Sequence, residues 1–157
     1  MKEEGLHERE LTYKELFLNY VLLNKFVCIL AVSNFFAYVA RYAMLDWGPT
    51  YLQEVKKTNI EEASWAVVAI ELGGIPSTIA LGYLSDRLGG RRGMVAVLCM
   101  LPIIAAYALF PLVPTEWVVE AFNRQIRLGF WIDLMLLFVV GLFIYPVINF
   151  ITIMALD

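Results

Sequence analysis

The sequence predicts an all-α membrane protein with four transmembrane helices, on three observations. Its 157 residues are 61% hydrophobic, with a mean hydropathy of +0.69, well above the roughly 45–50% apolar content of soluble domains. The apolar residues fall into four runs, each near the ~20 residues that cross ~30 Å of hydrocarbon. Most charged residues fall in the stretches between those runs. The net charge of −3 and the lack of a basic patch argue against nucleic acid as a partner; the lipid bilayer is the expected one. Cys28 and Cys99 stand far apart in apolar runs and read as buried structural thiols, and His7 reads as a solvated side chain in a polar tail. No cofactor or metal set is indicated.

Residues 1–25 form a charged cytoplasmic tail and an interfacial lead-in helix. Thr12 and Glu15 have the spacing of a capping box, and Leu11 and Leu16 that of a hydrophobic staple. Met1 to Glu10 is too polar and acidic for a cleavable signal peptide, so the first span is expected to direct insertion. That span covers about 26–45 and is closed by Trp47-Gly48-Pro49; residues 51–62 make a polar connection containing Lys56 and Lys57.

The second span, about 63–84, contains Glu71 and the run Gly73-Gly74-Ile75-Pro76-Ser77-Thr78. Pro76 removes a helix hydrogen bond and is expected to kink the helix. Ser77, Thr78 or a neighbouring helix is expected to satisfy the freed carbonyl. Residues 85–93 form a short basic turn rich in glycine. The third span, about 94–113, carries no charge. Residues 114–129 read as a partly ordered surface segment, and the fourth span, about 130–155, is interrupted by Gly141 and Pro146.

Charge sets the orientation. With a cytoplasmic N-terminus the inner segments hold Lys2, Arg9, Lys14, Lys25, Arg87, Arg91 and Arg92, and the outer ones Lys56, Lys57, Arg124 and Arg127. Trp47, Trp65, Trp117 and Trp131 then fall at the outer surface, as an interfacial aromatic belt does.

Asn34, Tyr38 and Arg41 follow one another at i, i+4 and i+7 and so share one helical face. For Asn34 and Tyr38 alone, a hydrogen-bonded seam between helices explains the pattern as well as a binding site does. Arg41 is different, because a charge at the bilayer centre costs roughly 2.5–3.5 kcal/mol even on lenient insertion scales. It needs a partner or an anionic ligand. Glu71 lies at a matching depth on the second span, and Asp46 is a second candidate nearer the surface. A permanent Arg41–Glu71 ion pair is one reading. The other is an exchangeable pair whose carboxylate yields to a phosphate or carboxylate ligand, which the planar guanidinium fork suits.

The stretch Gly82-Tyr-Leu-Ser-Asp86-Arg87-Leu-Gly89-Gly90-Arg91-Arg92 reads as a tight turn held at the cytoplasmic face, with Asp86 pairing an arginine or capping a helix. It follows no strand, which argues against a nucleotide-binding glycine loop. No nucleophile–base pair, metal cluster or carboxylate dyad is apparent, so an enzyme is not expected.

That stretch resembles the cytoplasmic loop motif of the major facilitator superfamily, with Gly90 as one extra residue before Arg91. The segments Tyr20 to Lys25, Arg41-Tyr42-Ala-Met-Leu-Asp46-Trp47-Gly-Pro49-Thr50-Tyr51-Leu52, Ser64-Trp65 and Gly74-Ile75-Pro76 are similar to the organophosphate:phosphate antiporter family, most of all to its bacterial glycerol-3-phosphate branch. The resemblance covers Glu10 to Asp157. It implies that the four spans correspond to part of the C-terminal six-helix bundle, helices seven to ten of twelve. It further implies that Arg41 binds substrate phosphate with Tyr38 nearby and that Tyr145 lines the pocket. Glu71 and Asp46 would exchange ion pairs during transport. The family pattern Ile-Tyr-Gly-Pro-Val is here Ile144-Tyr145-Pro146-Val147, so the helix break falls one residue earlier. The N-terminal half, with its second phosphate-binding arginine and a histidine, has no counterpart in these residues and is an implied partner.

The leading expectation is therefore part of a secondary active transporter in the inner (plasma) membrane. It would exchange organic phosphate esters for inorganic phosphate by alternating access. Its alternatives are a membrane sensor of sugar phosphates and an inactive fragment of such a transporter.

Overall fold

A computed structural model describes residues 23–114, 117–121 and 124–155. The Thr12–Glu15 capping box, the interfacial lead-in helix and His7 lie outside the described residues. Four helices carry the fold: α1 (Lys25–Glu54), α2 (Ile60–Arg87), α3 (Arg92–Leu109) and α4 (Leu128–Met154). A 3-10 turn, Phe110–Leu112, extends α3. All four helices, α3 with its 3-10 extension, are long and apolar enough to cross a membrane.

The helix starts follow from local chemistry. Asn24 caps α1 by accepting from the backbone N–H groups of Phe26 and Val27. Asn59 and Glu62 form a reciprocal capping box at the start of α2. Trp47-Gly48-Pro49 does not close α1, contrary to the sequence expectation; the helix continues through Pro49 to Glu54. The reason is packing: Leu52 is fully buried and the Tyr51 ring lies 5.3 Å from that of Phe110, which offsets the one hydrogen bond Pro49 cannot make. Lys57, at φ 53°, ends the run.

Helix α2 likewise runs through Pro76. The Ser77 and Thr78 hydroxyls do not reach the carbonyl that Pro76 frees. Both donate to the Gly74 carbonyl instead, at 2.8 and 3.4 Å.

The core is built around α4, which packs most extensively on α2 and α3. Val95, Cys99, Ile103 and Ala106 recur at helical spacing along α3 and meet Val140, Ile144, Val147 and Ile151 of α4. A second cluster joins Met44 and Leu52 of α1, Ala63, Ala66 and Ile70 of α2, Phe110 and Leu137. The Tyr107 hydroxyl donates to the Ala40 carbonyl at 2.5 Å, pinning α3 to α1. Cys99 is buried as expected; Cys28 is exposed on the outer face of α1.

Helices α2 and α4 approach each other through glycine. A Cβ at Gly73 would collide with the Phe138 carbonyl oxygen, and one at Gly141 with the Ile70 carbonyl oxygen. This is the close backbone contact that small residues permit between membrane helices. Gly141, read from sequence as an interruption of the span, is a contact point.

The segment before α4 is more regular than expected. It holds two short antiparallel strands, β1 (Val118–Ala121) and β2 (Arg124–Arg127), in register Val118↔Arg127. The sequence from Trp117 to Leu128 holds three β-branched residues, the content that favours pairing.

Candidate functional site

Arg41 sits near the middle of α1 and points across the bundle to α2 and α4. Its Nη2 donates to the Tyr145 hydroxyl at 2.7 Å, and its Cζ lies 4.3 Å from the Tyr145 ring centroid and 5.4 Å from that of Tyr42. Gly74 creates the seat for this tyrosine, since a Cβ there would come within 2.5 Å of the ring. A three-helix arrangement thus follows from three local features: an arginine on the buried side of α1, a glycine on α2 and an aromatic on α4.

Glu71 is the expected ion partner, and the structure brings it to Arg41, but loosely. Nη2 and Oε1 are 3.8 Å apart, with the side chains 19% and 46% exposed. That exceeds hydrogen-bond length. The Arg41 Nε is buried and has no hydrogen-bond partner. A half-buried guanidinium with an unused donor, facing a carboxylate that does not close on it, is an arrangement in which an anion can compete.

The other sequence-selected residues divide. Tyr38 stacks on Tyr42, with centroids 6.0 Å apart, one turn from Arg41. The Asn34 Oδ1 is buried and unpartnered, beside a small cavity of about 160 Å³ shared with Thr152 of α4. Asp46 is exposed and forms no ion pair with Arg41; five residues along a helix turn it to another side. At the loop motif, Gly82 faces open space, and Gly89 and Gly90 make the turn at φ 74° and 72°. Arg87 lies over the Tyr83 ring at 4.6 Å rather than on Asp86. Arg91 is the N-cap residue of α3, and Arg92 opens that helix.

One polar cluster escaped the sequence reading. Lys56 and Asp133 form an ion pair at 2.5 Å with side chains 3% and 2% exposed. Lys56 Nζ also donates to the Phe110 carbonyl at 2.8 Å and lies 4.7 Å from the Phe110 ring centroid. The signal was present: Asp133 is a carboxylate inside an apolar run and needs a partner as much as Arg41 does. Nearby, Arg127 pairs with Glu62 at 2.8 Å, joining the start of α2 to the strand that leads into α4.

Four apolar helices with charged side chains held between them define an integral membrane protein. The family model for the Major Facilitator Superfamily matches residues 2–156, and the chain belongs to that superfamily. It is 34% identical over 162 residues to the glycerol-3-phosphate transporter of Haemophilus influenzae, covering 98% of this chain and 33% of the relative. It is 36% identical over 151 residues to the glycerol-3-phosphate transporter of Bacillus subtilis, covering 96% and 31%. It is 32% identical over 117 residues to the hexose-6-phosphate:phosphate antiporter of Salmonella typhimurium, covering 74% and 25%. The chain spans about a third of the length of the first two relatives. No solved structure gives a significant match.

Proposed function

We propose that this chain forms part of a secondary transporter that exchanges organic phosphate esters for inorganic phosphate by alternating access. The observation that carries the proposal is Arg41: an intramembrane guanidinium with an orphaned Nε, one tyrosine hydrogen bond and a carboxylate held at 3.8 Å. A phosphate oxyanion entering the site displaces Glu71 and takes up the unused donors bidentately. The released carboxylate then seeks another cation, which couples binding to a change of conformation. Asp46, turned to another side of α1, serves as a second carboxylate in that exchange by pairing a cation other than Arg41, and Tyr38 and Asn34 continue the lining beside Tyr145. The names of the sequence relatives, carriers of glycerol 3-phosphate and hexose phosphate, support phosphate esters as the substrate class.

The opposing half of the phosphate clamp comes from another part of the transporter, and the two halves rock about the site. Exchange breaks no covalent bond, so neither a nucleophile nor a cofactor is needed. The protein resides in the inner membrane with its N-terminus cytoplasmic, and the Asp86, Arg87, Arg91 and Arg92 turn lies on that face.

Arg41→Lys in the assembled transporter tests this reading. Lysine keeps the charge but loses the fork, so phosphate exchange in proteoliposomes is expected to fall about 10- to 100-fold, the value of one or two charge-assisted hydrogen bonds. Unchanged exchange rejects Arg41 as the phosphate ligand.

A further inference from the structure

The polar surface of the bundle continues beyond Arg41. Thr78 lies seven residues after Glu71 on α2, and Asn149 four after Tyr145 on α4, so each shares the helix face that carries the Arg41 contact. The two meet: Asn149 Nδ2 donates to Thr78 Oγ1 at 3.5 Å. Contacts therefore advance together along α2 and α4, from Glu71 and Tyr145 to Thr78 and Asn149. At 1.5 Å per residue the second pair stands about 6–10 Å from the first, the length of a short polyol.

A structural role explains this pair poorly. Its hydrogen bond is at the outer limit of length, and α2 and α4 are already held together by backbone contact at Gly73 and Gly141. Both side chains are exposed, and polar groups left open at membrane depth line protein-enclosed or watery space rather than lipid. Asn149 retains an N–H donor and its carbonyl acceptor, with no other hydrogen bond to them among the described residues. Hydroxyl groups need that pairing of donor and acceptor. The phosphate group of an ester dianion, which only accepts, gains nothing from the acceptor half.

We infer that Thr78 and Asn149 read the hydroxyls on the carbon portion of the ester whose phosphate is held at Arg41. The inference rests on the transport reading above and adds two specificity-determining residues to it, with the carbon chain of the ester lying along the α2–α4 seam.

The test uses the assembled transporter in proteoliposomes, with labelled phosphate self-exchange as the readout. Glycerol 3-phosphate and propyl phosphate, equal in length but differing in hydroxyls, are the competitors. The unmodified protein is expected to prefer glycerol 3-phosphate. Thr78→Val with Asn149→Leu is expected to lower that preference about tenfold, the worth of one to two neutral hydrogen bonds, while phosphate self-exchange persists. Thr78→Ser and Asn149→Gln are expected to restore part of the preference.

An unchanged preference in the double variant overturns the inference. So does a fall in phosphate self-exchange that matches the loss of ester competition, since that marks a structural defect. An unmodified protein that exchanges phosphate without preferring the hydroxylated ester overturns this inference and leaves the transport reading standing. One that exchanges neither overturns the transport reading and this inference with it.

Discussion

Lys56 and Asp133 show how much a single buried pair can govern. Each is almost wholly removed from solvent, so removing one partner leaves an uncompensated charge at a cost of about 3–5 kcal/mol. Lys56→Met and Asp133→Leu are each expected to lower the thermal unfolding midpoint in detergent sharply, while the double variant regains most of it. Equal losses in the single and double variants would show that the ion pair is not the source. Arg41 was legible in the sequence because it stands alone in an apolar run, and depth matching found Glu71. Lys56 was not, because a connector lysine needs no partner. It acquires one only because α1 runs past Pro49 and carries it beneath Phe110 and the start of α4.

At the scale of elements, the α2–α4 contact sets the site. Gly73 and Gly141 let the two backbones meet, and Gly74 lets the Tyr145 ring lie between them. Gly141→Ala is expected to destabilise the bundle by about 1–3 kcal/mol through overpacking, measured by thermal unfolding in detergent. A neutral result would show that the helices can separate without loss. Sequence pattern identified four spanning helices, because their apolar runs are long and most charges fall between them. It misjudged what the glycines do, since a glycine that breaks a pattern and one that admits a neighbour look identical along a single chain. The strands at Val118–Ala121 and Arg124–Arg127 were missed for a related reason: four-residue strands give too short a period to distinguish from a polar loop.

For the whole molecule, orientation is the property to test. In a background with Cys28 and Cys99 replaced by Ser, a membrane-impermeant maleimide applied to intact cells is expected to label Glu61→Cys and spare Leu88→Cys. Both positions are exposed, at opposite ends of α2. The reverse pattern rejects a cytoplasmic N-terminus. The distribution of lysine and arginine over all the connections sets orientation, and no single residue does so. Large apolar side chains such as Phe26, Ile29, Val32 and Phe36 lie bare along α1. They suit a bilayer or further helices packed against α1.

The buried lysine has a mechanical consequence. It fastens the end of α1 to α3 and α4, while the Glu62–Arg127 bridge fastens the start of α2 at the same end. Were α1 to tilt about that anchor as a pivot, displacement would grow with distance from it. Arg41 stands fifteen residues from Lys56, a lever arm of about 22 Å. A tilt of about 10° about that pivot carries the guanidinium by about 4 Å, more than the whole length of its bond to Tyr145.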